Sequence, residues 1–218
     1  MNAAWLLVLL SATTATGDER LRARLDPETA AAVTRIVESA RAEGLPTEPL
    51  VGQALQGAAK GIAGERIVNA VRENAGALHD ARAALGASSS EGELVAGAGA
   101  LLSGVPRDTL SRMRESRPSQ SLVVPLVVLA DLVARRVPTD AAMTAVMSAS
   151  RAGVRDLDFM KLRERIDQDI RAGVAPATAT ETRARALLLR TGSGSERAQP
   201  NKHAPPGVPK HRTPEVGP

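Results

Sequence analysis

A short junction recurs along this chain and divides it into helices. An apolar residue follows directly on a Gly, or once on an Arg, and Pro and an acidic residue often come next. It reads Gly44-Leu45-Pro46-Thr47-Glu48, Gly104-Val105-Pro106-Arg107-Asp108 and Arg136-Val137-Pro138-Thr139-Asp140. Looser copies stand at Gly61-Ile62, Gly153-Val154 and Gly173-Val174. The logic is that of helix ends. The last carbonyls of a helix lack partners, and a left-handed residue folds the next amides back onto them; Gly reaches that conformation without a steric penalty. The apolar residue packs on the last turn, and Pro prevents the old helix from continuing. Thr47 and Thr139 are the expected N-caps of the following helices, with Glu48 and Asp140 near the positive ends of the new dipoles. Arg136 departs from the rule: its junction must use another cap or hold an arginine left-handed.

The spacing of the junctions fits a duplication. Gly44 to Gly61 and Arg136 to Gly153 are both 17 residues, and the pairs are offset by 92. At that offset Pro46-Thr47-Glu48 falls on Pro138-Thr139-Asp140, Leu55 on Met147, Ile62 on Val154, Ile67 on Phe159 and Ala70 on Leu162. The same matches fit convergent helix-hairpin grammar, since a chain rich in Ala and Leu aligns to itself. Either way the expected class is all-α: stacked helical hairpins, solenoid-like or an irregular bundle, of about 8–9 helices.

The individual elements follow from period and caps. Asp26-Pro27-Glu28 is a helix start, and Val33, Ile36, Val37 and Ala40 share its face. Leu50, Val51, Ala54 and Leu55 mark the next helix, and Ile67, Val71, Leu78 and Leu85 stripe a long one over 64–85, ended by Gly86. Ser88-Ser89-Ser90-Glu91 is a capping loop ahead of Leu94, Ala98 and Leu101. Leu110 and Met113 mark a short helix before Arg117-Pro118. The stretch from Leu122 to Ala134, broken by Pro125 and Asp131, is a central helix buried on most sides. Ala142, Val146 and Met147 stripe another. Asp156 is the expected cap of a helix carrying Phe159, Leu162, Ile166 and Ile170, and a last helix is expected over 178–190. No alternating β-branched run is present, so no strands are expected.

The two ends differ from this middle. Ala3 to Leu10 is an apolar run followed by small and hydroxyl residues, and Ala15-Thr16-Gly17 offers a peptidase site; residues 1–17 read as an export signal, though Met1-Asn2 brings no Lys or Arg. The run is too short to span a bilayer. From Thr191 onward the chain holds six of its 14 Pro residues and little that is apolar, so 191–218 reads as a disordered tail. The domain proper is 18–190. These readings place the protein outside the bacterial cytoplasm, periplasmic or extracellular.

Composition removes several kinds of chemistry. Cys is absent from all 218 residues, and with it disulfides, thiol catalysis and Cys-based zinc sites. There is no Tyr, and Trp5 and Phe159 are the only aromatic residues, which leaves no stacking platform for single-stranded nucleic acid or sugars. The net charge of +4 is scattered, so no nucleic-acid partner is expected. His203 and His211 lie in the tail and His79 sits alone on its helix, so no metal site is expected. Asp156-Leu157-Asp158 opens no calcium loop, because its sixth and twelfth positions are Lys161 and Asp167. Gly97-Ala98-Gly99 is no dinucleotide fingerprint: Leu102 stands where the third Gly belongs, and small residues there suit close helix packing. No catalytic residue or cofactor is assigned.

Carboxylates remain as general acids, namely Glu38, Glu43, Glu65, Glu73, Asp131 and Glu164. Asp131 stands out because it interrupts an apolar helix. It is a polar group at a ligand cavity, or it sits on the one wet face of the helix, or it pairs with Arg135 one turn on. The balance leans away from an enzyme. The first reading is an exported helical interaction module whose partner is another envelope protein or a peptide. The alternatives are an all-helical envelope hydrolase using a single Glu, and a binder of lipid or small ligands.

Overall fold

The computed structural model describes residues 16–197, with side chains described as far as Thr191. Most of the expected export signal and residues 198–218 of the expected tail lie outside that range. The described chain is all-helical: α1 (Gly17–Arg22), α2 (Pro27–Ala42), α3 (Glu48–Ala59), α4 (Gly64–Leu85), α5 (Glu91–Leu102), α6 (Arg107–Ser116), α7 (Val123–Ala134), α8 (Thr139–Arg151), α9 (Asp156–Arg171) and α10 (Pro176–Arg197).

Six of the turns between these helices are built alike. Gly44, Gly61, Gly104, Arg136, Gly153 and Gly173 all hold positive φ, Arg136 at +64°. After each, the apolar residue's amide reaches back to a carbonyl in the last turn, as Leu45 to Ala40 at 2.9 Å, Val105 to Ala100 at 3.1 Å and Val137 to Leu132 at 3.1 Å. The open question at Arg136 therefore has an answer. It takes the left-handed conformation, which disfavours a residue with a Cβ by about 1–2 kcal/mol, and Val137 is buried behind it.

Three expected N-caps are corrected. Thr47 precedes α3 with φ −97° and ψ −26° and makes no side-chain cap bond; an N-cap normally needs extended backbone, and Pro49 at the second helical position has no amide to offer. Pro138 and Arg155 hold the extended cap positions before α8 and α9, which moves Thr139 and Asp156 into the first helical position. Asp26 caps α2 as expected, accepting the Thr29 amide at 2.9 Å.

Two elements exceed the expected bounds. α1 starts inside the stretch assigned to the signal, where Thr16 and Glu19 form a capping box and Leu21 is fully buried. α10 runs to Arg197, past 190, since no Pro lies between Pro176 and Pro200 to stop it.

The core has two centres. One gathers Leu21, Val33, Val37, Leu50, Ile67, Val71 and Leu78, and the other Leu110, Met113, Leu126, Leu129, Leu132, Val146, Phe159 and Ile166. α4 and α5 serve both. Leu78 and Leu94 face the first centre, while Leu85 and Ala100 face the second. Burial repeats at the 92-residue offset. Val37/Leu129, Ala40/Leu132, Leu45/Val137, Leu50/Ala142, Ala54/Val146 and Ile67/Phe159 are buried in both members. Ile62/Val154, Leu55/Met147 and Ala70/Leu162 break the pattern, because Ile62 is exposed and Leu55 and Ala70 only partly buried while their counterparts are buried.

α2, α3 and α4 pack mutually; α7 packs on α8 and on α9, and α10 covers α8 and α9. α5 joins α4 to α7, and α6 joins α4 to α8.

Candidate functional site

Asp131 sits where α7 meets α9, half-buried. Its Oδ2 accepts from Arg135 Nε at 2.7 Å and lies 2.9 Å from Arg163 Nε. Arg135 reaches on to Asp167, and Asp167 to Arg171 at 2.7 Å. The Asp131 hydrogen bond holds the Arg135 guanidinium more firmly protonated than usual, outweighing its partial burial, with the Asp131 and Asp167 charges adding to the effect. The i,i+4 pairing with Arg135 is thus observed. Two guanidinium groups occupy the carboxylate, which clasps α7 to α9. The other proposed general acids, Glu38, Glu43, Glu65, Glu73 and Glu164, are exposed. A tuned general acid normally needs the desolvation they lack. His79 is exposed as well and faces Glu43 at 3.0 Å.

The carboxylate buried among the described residues is one that sequence reading passed over. Glu93 closes a capping box with Ser90, accepting the Ser90 amide at 2.9 Å. It also accepts from the Leu122 amide at 2.9 Å and from Arg114 Nη2 at 2.6 Å. Burial pushes its pKa up, but the Ser90 and Leu122 amides and Arg114 outweigh that, and the net direction is down. An ionised, fully bonded carboxylate of this kind joins α5, α6 and α7; it has no proton to give. The signal was present as Ser90 followed three residues later by Glu93. A second buried charge was also missed. The Arg117 guanidinium lies 5.6 Å from the centre of the Phe159 ring, and its Nε bonds Gln120 at 2.8 Å.

A pocket of about 770 Å³ lies along α1 and α2, lined by Arg22, Leu25, Pro27 and Ala30, and a trough of about 600 Å³ runs between α8 and α10. Its floor is alanine: Ala141 and Ala145 one turn apart on α8, Ala177 and Ala184 on α10. Small side chains on both facing helices leave space that larger ones would fill. Pro138 and Leu188 are also apolar lining residues, and Asp140, Glu181 and Arg185 bring exposed charge. A narrower groove of about 450 Å³ between α2 and α4 holds Arg35, Arg72 and the Glu43–His79 pair. Among the described residues no group of three His, Asp or Glu is placed to hold a metal ion. No helix among them is long and apolar enough to cross a membrane.

The chain matches no protein-family model, no curated protein and no solved structure. A functional reading therefore rests on the fold, its surfaces and the sequence of residues 1–17.

Proposed function

We propose that this protein is an exported helical interaction module, periplasmic or extracellular, that holds a polypeptide partner in the α8–α10 trough. One observation carries the reading: an apolar alanine floor on two facing helices, with exposed charges of both signs among its lining residues. Its volume lies within the range of small-molecule pockets, roughly 300–1,000 Å³, but such pockets enclose most of their ligand. A trough with exposed lining suits a row of side chains on a helix or extended segment. The expected partner segment presents small or aliphatic residues to the alanines and a Lys or Arg to Asp140 or Glu181. The buried Glu93 lies at a helix junction with all its bonds internal, and this gives the single-Glu hydrolase reading no support.

The test is site-specific photo-crosslinking in the native host, with the probe at Thr144 in the trough and a control probe at Glu73. One dominant envelope protein should be captured at Thr144 and not at Glu73. Ala145→Arg, which fills the trough, should abolish its capture while leaving the circular dichroism spectrum unchanged. Capture that is equal at both positions, or unaffected by Ala145→Arg, contradicts the proposal.

A further inference from the structure

The α8–α10 trough carries its charge unevenly. The turn after α8, at Gly153 and Val154, shares a second hollow with Leu187 and Arg190 of α10. The end of α8 therefore lies beside the later half of α10, and the start of α8 beside its start. That sets Asp140 and Glu181, both exposed, at one end of the trough and Leu188 at the other, with Arg185 between. Neither acid has an ion-pair partner among the described residues.

The chain itself supplies a segment of matching chemistry. α10 leaves the trough at Leu188 and runs on to Arg197, about 14 Å further. Residues 198–203 follow, then Ala204-Pro205-Pro206-Gly207-Val208-Pro209 and Lys210-His211-Arg212. Extended, residues 198–203 cover about 20 Å, enough to lead back to Leu188. At the polyproline rise, Ala204 to Pro209 span about 19 Å, against about 16 Å of helix between Leu188 and Ala177. The small and apolar run then falls over the alanine floor, and Lys210 and Arg212 arrive at Asp140 and Glu181.

We infer that residues 204–212 of this chain occupy the trough, antiparallel to α10, when no outside partner holds it. The inference rests on the fit of the trough to a polypeptide, proposed above, and names an internal competitor for that site. The tether makes a weak contact sufficient. A short flexible link holds the segment at an effective concentration in the millimolar range, so a Kd of about 1 mM fills the trough about half the time. Pro205, Pro206 and Pro209 have little backbone freedom to lose on docking. The larger pocket along α1 and α2 is lined by Arg22 and Arg35, which repel a basic segment. An outside partner must displace the tail, so the tail screens out weak binders.

Paired cysteines test this in the full chain, which has no Cys of its own. Gly207→Cys is combined with Thr144→Cys in the trough and, separately, with Met160→Cys, exposed on α9. Asp158 lines the hollow that holds Leu187 and Arg190, so α9 begins beside the later half of α10 and random collision would favour Met160 over Thr144. Mild oxidation of dilute protein should close the pair with Thr144→Cys at least about tenfold faster than the pair with Met160→Cys. Lys210→Glu with Arg212→Glu should remove that advantage, and adding Asp140→Lys with Glu181→Lys should restore it. Equal rates, a faster pair with Met160→Cys, or rates indifferent to charge reversal would overturn the inference. The assay holds no outside partner, so its failure leaves the photo-crosslinking result at Thr144 standing. A fast pair here with no capture there would strike the outside partner alone.

Discussion

The Glu93 carboxylate accepts a hydrogen bond from the Leu122 amide at 2.9 Å, across 29 residues of sequence. That bond ties the first turn of α5 to the entry of α7. Arg114, on α6, completes the junction: it bonds Glu93 at 2.6 Å and also the Gln120 carbonyl at 3.3 Å. Three helices of the middle of the chain therefore hang on one side chain.

Glu93→Ala removes three partners at once, leaving the Leu122 amide without its acceptor and the Arg114 guanidinium without its carboxylate. The expected loss is about 3 kcal/mol, read as a fall in melting temperature of roughly 6–12 °C for a chain of this size. Glu93→Gln keeps the shape and a hydrogen-bonding end but loses the charge, and its loss should be about half as large. A loss below about 1 kcal/mol for Glu93→Ala, within the range of ordinary surface changes, would contradict the structural role given to the junction.

Acid should unfold the protein through the same groups. Glu93 is held below the usual glutamate value against its burial. Asp26 is lowered by its bonds to the Thr29 hydroxyl and amide, and Asp169 by the hydrogen bonds from Arg183. With folded values below unfolded ones, the unfolded chain binds more protons. The stability these groups give is complete above the ordinary carboxylate range and is lost as pH falls through the lowered folded values. Urea melts from neutral pH downward should show stability falling on the acid side, with a shallower fall in Glu93→Gln. An acid limb identical in the two proteins would remove Glu93 from the account.

Arg136 and Gly153 end the successive helices α7 and α8 in the same left-handed conformation with opposite residues. Arg136→Gly relieves left-handed strain and should stabilise the protein by about 0.5–1 kcal/mol after the added freedom of the unfolded glycine is counted. Gly153→Ala, whose φ is +68°, should destabilise it by about 1 kcal/mol. Denaturation midpoints of the two variants would check the pair of signs, and a destabilising Arg136→Gly would mean that the arginine does something here besides ending a helix.

Asp131→Asn breaks a partly solvated ion-pair cluster, and surface pairs contribute about 0–1 kcal/mol each. A loss below about 1.5 kcal/mol is expected, shrinking as salt is added, with no effect on partner capture from the trough. Abolished capture with an intact fold would return Asp131 to the ligand-site reading.

The helix grammar was legible because each junction is local: a cap, an apolar residue and a proline act within a few positions of one another. α4 (Gly64–Leu85) matches the expected span of roughly 64–85 for that reason. The misplaced caps at Thr139 and Asp156 were one-residue shifts, and Thr47 fails because its backbone is helical where a cap needs it extended. The Asp131–Arg135 pair stood among the alternatives because it is one helical turn apart, while Arg163 and Asp167 come from another helix and were out of reach. Glu93 escaped notice because two of its partners, Arg114 and Leu122, are distant in sequence. The trough was illegible because its signal is the small size of alanines on two helices separated along the chain.

Hydrogen–deuterium exchange on the purified protein, alone and with the partner captured at Thr144, tests the central claim most directly. The proposal predicts slower exchange in α8 and in the first half of α10, with α2 and α4 unchanged. Protection confined to other helices, or none at all at saturating partner, would contradict it.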